Sequence, residues 1–338
     1  MERKTYTGFY PSRPYWAVSK LDFTVPKADG WFRGQMSEVV YEKHNADVSL
    51  IICRDGQILF RIARLEPAGG VDLSTPIEDT VSRWGEYLDY LNSFYLLLDS
   101  ATIETDRHAI FNLHEITHRD AFRTTFEGER EVSQSIASES IASVFQMGRY
   151  LSSYSQDFPI EYDPKLSHRS VVSLAAISLA GESIFKVVSS QGSEKHLASY
   201  AKSLSEYKVG NYETAIILSW FITESVANWL WNSQLDALNA DFPGGRRRIN
   251  RERRDFLTGR DFTASITTNL LELFGQIDLE LLNKVDEVRG YRNKIVHTDS
   301  FQVGANEATK ALAVAREMII KRWAISFTPS FSYSVQGL

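Results

Sequence analysis

The sequence predicts an α+β domain followed by an all-α helical bundle, and three observations lead there. In the first half, two apolar, β-branched runs, Val48-Ser-Leu-Ile-Ile-Cys53 and Ile58-Leu-Phe-Arg-Ile62, flank Asp55-Gly56. The stretch 152–166 carries two prolines and many polar residues, the composition of a linker. Beyond it every periodic segment is amphipathic at helical spacing, and no Asp-Gly hairpin signal recurs.

The elements follow in order. Strand-like runs on either side of Asp-Gly predict a hairpin, because a type I′ turn needs positive φ at both central positions. A helix then starts at about 75–100, with Thr75 as N-cap, Pro76 at the first helical position and Glu78 completing a capping box. Its stripe of Ile77, Val81, Trp84, Leu88, Leu91, Tyr95 and Leu98 predicts a helix lying on the sheet or on a partner helix. Runs 109–113 and 121–126 read as further strands, and a serine-rich segment up to Tyr150 reads as helical. The domains are therefore 1–151, a linker at 152–166, a helical domain at 167–325 and a tail at 326–338. Within the helical domain, helices are expected at about 167–190, 193–207, 210–237, 262–274, 278–298 and 304–325.

At 338 residues the chain exceeds the ~250–300 that one core usually supports. Apolar residues make up 43%, charged 24% and aromatic 12%, which supplies sizeable cores. A net charge of −6 argues against coating nucleic acid through global charge but allows a local basic site. Cys53 is the only cysteine, so no intramolecular disulfide forms and a buried thiol is expected. The opening Met-Glu-Arg-Lys-Thr-Tyr lacks the apolar core of a signal peptide. The most apolar stretch, 171–185, is broken by Ser173, Ser178, Gly181 and Glu182 and falls short of the ~20 residues of a bilayer span. A cytoplasmic protein with no membrane partner is the expectation.

Two short patterns carry chemistry. His114-Glu-Ile-Thr-His118 fits the zinc-peptidase pattern, which needs both imidazoles one turn apart on a helix and a third ligand, nominally Glu139. The alternation of Phe111 and Leu113 with Asn112 and His114 reads instead as strand, where the two histidines would lie ~13 Å apart. No metal is therefore expected there, and structural or solvent-facing histidines are the alternative. The second pattern is Arg292-Asn293-Lys-Ile-Val-His297, inside a segment whose Leu279, Leu281, Leu282, Val285, Val288, Tyr291, Ile295 and Val296 keep a helical rhythm. Asn293 and His297, at i and i+4, project together. Arg292 lies some 140° from His297 on a regular helix, so convergence requires a local break or a site shared between two chains.

On these residues the helical half resembles a HEPN domain (higher eukaryotes and prokaryotes nucleotide-binding), a bundle of four or more helices with an Arg-x(4–6)-His motif that commonly opens Arg-Asn. The match is Arg292-Asn293 with four residues between Arg292 and His297. An upstream helical segment with Ala215, Trp220, Ile222, Glu224 and Trp229 fits the family's acidic residue set among aromatics. The resemblance covers about 165–325. It implies a metal-independent endoribonuclease, without cofactor, acting as a homodimer in a bacterial toxin or anti-phage setting. Catalytic roles would fall to Arg292, Asn293 and His297; the other reading is a non-catalytic nucleotide-, RNA- or protein-binding module. The first domain would then sense or restrict the activity through a ligand or protein.

One further cluster bears on this. Arg246, Arg247, Arg248, Arg251, Arg253 and Arg254, with Arg260 nearby, put seven arginines into fifteen residues after Phe242-Pro-Gly-Gly. Asp241, Glu252, Asp255 and Asp261 would partly neutralise them as a solvated loop; otherwise they form a sequence-blind phosphate-tracking surface.

Overall fold

A computed structural model describes residues 3–22, 31–66, 77–135, 168–240, 247–298 and 302–332. It has an N-terminal mixed α/β part and a C-terminal all-α bundle. The chain divides into two compact units, Met1–Ala201 with Phe327–Leu338, and Lys202–Ser326.

In the first unit, strands β1 (Arg3–Phe9), β3 (Val39–His44), β4 (Val48–Cys53), β5 (Ile58–Ile62), β6 (Phe122–Glu127) and β7 (Arg130–Gln134) form one sheet in the order β3-β4-β5-β1-β6-β7. Every pairing in it is antiparallel. The hairpin about Asp55-Gly56 forms, but not through a type I′ turn: Gly56 is at φ 89° while Asp55 keeps a negative φ, and Gly56 N donates to the Cys53 carbonyl at 3.0 Å. A side chain at Gly56 would also meet the Tyr15 ring at 2.6 Å, so the turn and its neighbour both require glycine. Strand alternation gives the sheet two apolar faces. One carries Tyr6, Tyr10, Ile51, Cys53, Leu59, Phe122 and Phe126 in one cluster. Cys53 is buried as expected, its thiol 3.4 Å from Gln57 Oε1. The other face meets the long helix α2 (Ile77–Thr105), through Phe60 against Phe94 and Phe9 against Tyr95.

Helix α2 covers the predicted stripe, though Val81 is 65% exposed, Leu88 is half-buried and full burial of the stripe begins at Leu91. The capping residues Thr75 and Pro76, the side chain of Glu78, the segment 136–150 with Glu139, and the linker 152–166 lie outside the described residues. Run 109–113 is not a strand. Ile110, Phe111 and Leu113 are buried, but the backbone pairs with no strand. Run 121–126 does form one, β6.

Strand β2 (Tyr15–Ala17) pairs in parallel with β8 (Ser170–Val172), and helix α1 (Trp31–Ser37) precedes β3. Helix α3 (Leu174–Val188) packs on α2 with Ala176, Ile177, Ala180 and Ile184 buried. Gly181 gives Tyr41 room, since a Cβ there would lie 2.0 Å from its hydroxyl. These contacts put α3 in the first unit, which runs to Ala201. The expected tail at 326–338 likewise begins inside the first unit, where Phe327 is fully buried and rings with Tyr200 at 5.0 Å.

The second unit holds the end of α4 (Ser193–Lys208), then α5 (Tyr212–Ala240), α6 (Arg251–Leu257), α7 (Ala264–Leu273), α8 (Leu279–His297) and α9 (Ala305–Trp323). Helix α5 is the central element, packed by α7, α8 and α9. Their starts are written in the sequence. Thr263 accepts from Ile266 N, Asp278 Oδ1 accepts from Leu281 N at 2.8 Å, and Glu307 accepts from Gly304 N at 3.0 Å. Asp299 and Ser300 lie outside the described residues, and Gly304 is the N-cap of the last helix.

Candidate functional site

Helix α8 presents the Arg-Asn…His motif at its C-terminal end. Its first three turns bury Leu281, Leu282, Val285 and Val288 against the bundle. Beyond Val288 no residue of the helix is fully buried, and Val296 is 50% exposed. Lys284 reaches Glu317 at 3.3 Å and Lys310 reaches Glu287 at 2.7 Å, so α8 and α9 run antiparallel and are stitched together before the motif begins. The Lys310 ammonium and the Tyr291 hydroxyl both serve Glu287 and hold its carboxyl below the usual range.

Asn293 and His297 are both exposed and share one side of the helix, at i and i+4. Arg292 is half-buried and donates from Nη1 to Asn293 Oδ1 at 3.2 Å, which draws its guanidinium round toward that side. The helix is regular through His297, and Thr298 N donates to the Lys294 carbonyl at 2.9 Å. There is thus no local break, and Arg292 and His297 of one chain stay about 140° apart in helical projection. Glu224, the acidic residue among aromatics on α5, is half-buried, between buried Trp220 and the part-exposed Trp229 whose ring carries Arg322 at 4.6 Å.

The arginine run is partly a helix, which sequence reading placed in a loop. Helix α6 is fastened along one side of α5 at three heights. The Asn239 amide bonds the backbone of Ile249 in both directions. Arg254 donates to Asp236 at 2.6 Å and to Asn232 at 3.2 Å, and Trp231 Nε1 donates to the Leu257 carbonyl at 2.8 Å. Arg254 is therefore a structural tie, and its partner holds its guanidinium charged. Arg247, Arg248, Arg251 and Arg253 are exposed; Arg246 lies outside the described residues. Asp255 approaches Arg251 at 4.0 Å, a surface pair that leaves the guanidinium in water.

These two features are not neighbours. Gln276, just before α8, bonds Gln234 of α5 at 2.9 Å, so the start of α8 lies level with the arginine helix. Arg292 and His297 are about 21 and 28 Å further along α8 at about 1.5 Å per residue. That separation equals about six to eight stacked nucleotides at about 3.4 Å each.

The His114-Glu-x-x-His118 segment is irregular chain ending in a turn. His114 stands edge-on to Tyr95 at 5.8 Å, and burial pushes its imidazole down, with Asp120 opposing. His118 is exposed. The helix that a zinc peptidase needs is missing, and the described residues contain no group of three His, Cys, Asp or Glu able to hold a metal. No described helix is long and apolar enough to cross a membrane.

Sequence reading missed a second cluster of this chemistry, in the first unit. Arg13, His108, His168 and Arg169 line one cleft. They come from three separate segments, and no local spacing links them. The chain matches no family model, and no curated protein or solved structure matches it either.

Proposed function

We propose that the helical unit is a metal-independent endoribonuclease of HEPN type, working as a homodimer. The observation that carries this is the pair of exposed side chains, Asn293 and His297, on one side of α8 with the Arg292 guanidinium drawn to Asn293. In the proposed reaction the 2′-oxygen of a ribose attacks the adjacent phosphorus. The P–O5′ bond breaks, leaving a 2′,3′-cyclic phosphate and a free 5′-hydroxyl. One imidazole takes the 2′-hydroxyl proton and another gives a proton to the departing 5′-oxygen. Arg292 bonds the phosphate as charge builds on its equatorial oxygens. Asn293 orients phosphate or imidazole.

Two proton transfers at one phosphate call for two imidazoles, and one chain brings one. A second copy supplies the other and also answers the divergence of Arg292 from His297. Exposed apolar side chains support this assembly: Val296 beside the motif, and Ile217 and Phe221 on α5 at 40% and 63% exposure. The four exposed arginines of 247–253 would hold the phosphate backbone of the same strand, without reading sequence. A toxin or anti-phage role in the cytoplasm follows from the family resemblance.

A non-catalytic RNA- or nucleotide-binding module is the second reading, favoured by the regularity of α8 at Arg292. The test is cleavage of single-stranded RNA by the full chain in EDTA, with end-group analysis. Wild type yields cyclic phosphate ends; His297→Ala and Arg292→Ala each lower the rate about 10²–10⁴-fold at unchanged Tm. The rate should rise more steeply than linearly with protein concentration in the dilute range. Retained cleavage in both variants removes the assignment, and RNA binding without cleavage by wild type establishes the second reading.

A further inference from the structure

The C-terminal end of the arginine helix carries a chain of four aromatic rings. Trp231 of α5 is 4% exposed; its ring stacks on Phe262 at 6.1 Å and 14°, and meets Phe274 at 6.1 Å. Phe262 in turn meets Phe256 edge to face at 5.8 Å. The two inner rings are buried or half-buried, while the outer ones reach water, Phe256 at 64% and Phe274 at 44% exposure. The chain doubles back tightly to build this. Phe262 N donates to the Gly259 carbonyl at 3.0 Å, and a Cβ at Gly259 would lie 2.7 Å from the Asp255 carbonyl oxygen. Arg260 stands at the corner of that turn, exposed.

Packing does not account for Phe256. Its helix is already fastened to α5 through Asn239, Arg254 and Trp231, and the ring adds an edge contact to Phe262. Its surroundings are strongly charged. Residues 247–261 hold six arginines against three acids, in a chain of net charge −6. Arg253 lies three residues before Phe256 and so on the same side of α6, its guanidinium donating to the Arg248 carbonyl at 3.3 Å. Cations beside an exposed ring match a polyanion that also offers flat apolar faces. A single strand of nucleic acid alternates phosphates with such faces, so it can engage both groups at once. In a duplex the base faces are already stacked and closed to the ring. The ring is also held before anything binds. Phe262 supports it, Trp231 supports Phe262, and Trp231 Nε1 is tied to the Leu257 carbonyl at 2.8 Å. Little order then remains to be imposed on binding. Residues 241–246, outside the described ones, precede the opposite end of α6, where Asn239 bonds Ile249.

We propose that Phe256 is a stacking platform for one base of a single RNA strand, whose flanking phosphates lie on Arg253 and Arg260. It rests on the proposed function only in taking RNA as the ligand, and it concerns binding, not cleavage. The test is fluorescence anisotropy titration of the full chain in EDTA with a 2′-O-methylated single strand of about 12 nucleotides. That strand cannot be cleaved through its 2′-oxygen; the duplex of the same length is titrated beside it. Phe256→Ala should weaken the single strand about tenfold, the worth of one stacked base, and leave the salt slope and the duplex affinity unchanged. Phe256→Trp should bind at least as tightly as wild type. Phe256→Leu should bind as weakly as Phe256→Ala, because leucine keeps apolar bulk and loses the flat face. Arg253→Gln with Arg260→Gln should lower the log–log salt slope by about 1.4. Wild-type affinity retained in Phe256→Ala or in Phe256→Leu overturns the proposal, as does absence of single-strand binding at low salt. A Phe256→Ala variant that sediments as a monomer where wild type is a dimer also overturns it, and gives the ring to a second copy of the chain. Single-strand affinity lost in Phe256→Ala, with no cleavage of ordinary RNA by wild type, upholds this site and removes the nuclease.

Discussion

From residue 90 to 102 every side chain of α2 is buried, whereas from 289 to 297 not one side chain of α8 is. Helix α2 lies between the sheet and α3, so each of its sides finds a partner. Even the polar Asn92 is satisfied there, donating to the Leu88 and Ile116 carbonyls and accepting from Ile116 N. The end of α8 has bundle neighbours for its first turns only, and then carries Arg292, Asn293, Val296 and His297 outward. In a buried helix side-chain choice answers to packing. On an exposed helix end packing sets no such demand, and side-chain choice is left free for other roles.

The widest separation between the two environments can be measured on one helix with one residue type. Val288→Ala should cost about 2 kcal/mol in chemical denaturation, since Val288 is fully buried. Val296→Ala should stay within about 0.5 kcal/mol. Equal losses would show that the end of α8 is packed after all and would break the comparison. Next comes the arginine helix, which contains both environments. Replacing Arg247, Arg248 and Arg251 together by Gln should reduce the salt dependence of RNA affinity by about 2 in log–log slope and leave stability unchanged. Arg254→Gln should lower stability, by up to about 1 kcal/mol as a surface pair; an identical response in both would erase the distinction between tie and free surface.

The smallest effect concerns the edge of the α2 environment. Burial raises the Asp89 carboxyl from 3.8 to about 6, with Lys195 opposing and Glu194 and Glu86 adding. A carboxyl whose folded pKa lies above its unfolded one contributes stability that is full below about pH 4 and lost as pH rises through about 6. Asp89→Asn should therefore raise Tm by about 2 °C at pH 8 and leave it unchanged near pH 4. A gain of the same size at both values would show that charge at Asp89 is not the cause.

Much of the fold was legible because its signals are local. Asp55-Gly56 between β-branched runs marks the hairpin, and Asp278 and Thr263 mark helix starts that form where expected. What escaped depends on distant partners. Strand β1, with Arg3, Lys4, Thr5 and Thr7, reads as polar, yet it lies between β5 and β6. The three-residue strands β2 and β8 are too short to show a period and exist because they pair with each other. The packing of α3 on α2 was not legible, because its Ala- and Gly-rich side suits close packing on a sheet-bearing unit as well as on a bundle. Helix α6 was hidden by its own arginines. For the candidate site, Asn293 and His297 were readable from their spacing, while the exposure of the helix end was not. The cleft of Arg13, His108, His168 and Arg169 was invisible, because three remote segments build it.

The crossing of the chain at Ala201 and its return at Phe327 has a consequence for how this protein can be taken apart. Tyr200 and Phe327, the residues at the two crossings, stand ring against ring inside the first unit, and Thr328 N donates to Ser100 Oγ at 2.5 Å. The helical unit is thus a cassette spliced into another fold, with its way out and its way back side by side. The outgoing division falls within α4 (Ser193–Lys208), so a cut there to excise the unit would sever a helix. Trimming the C-terminus back to 326 would pull a fully buried aromatic from a unit that begins more than three hundred residues earlier.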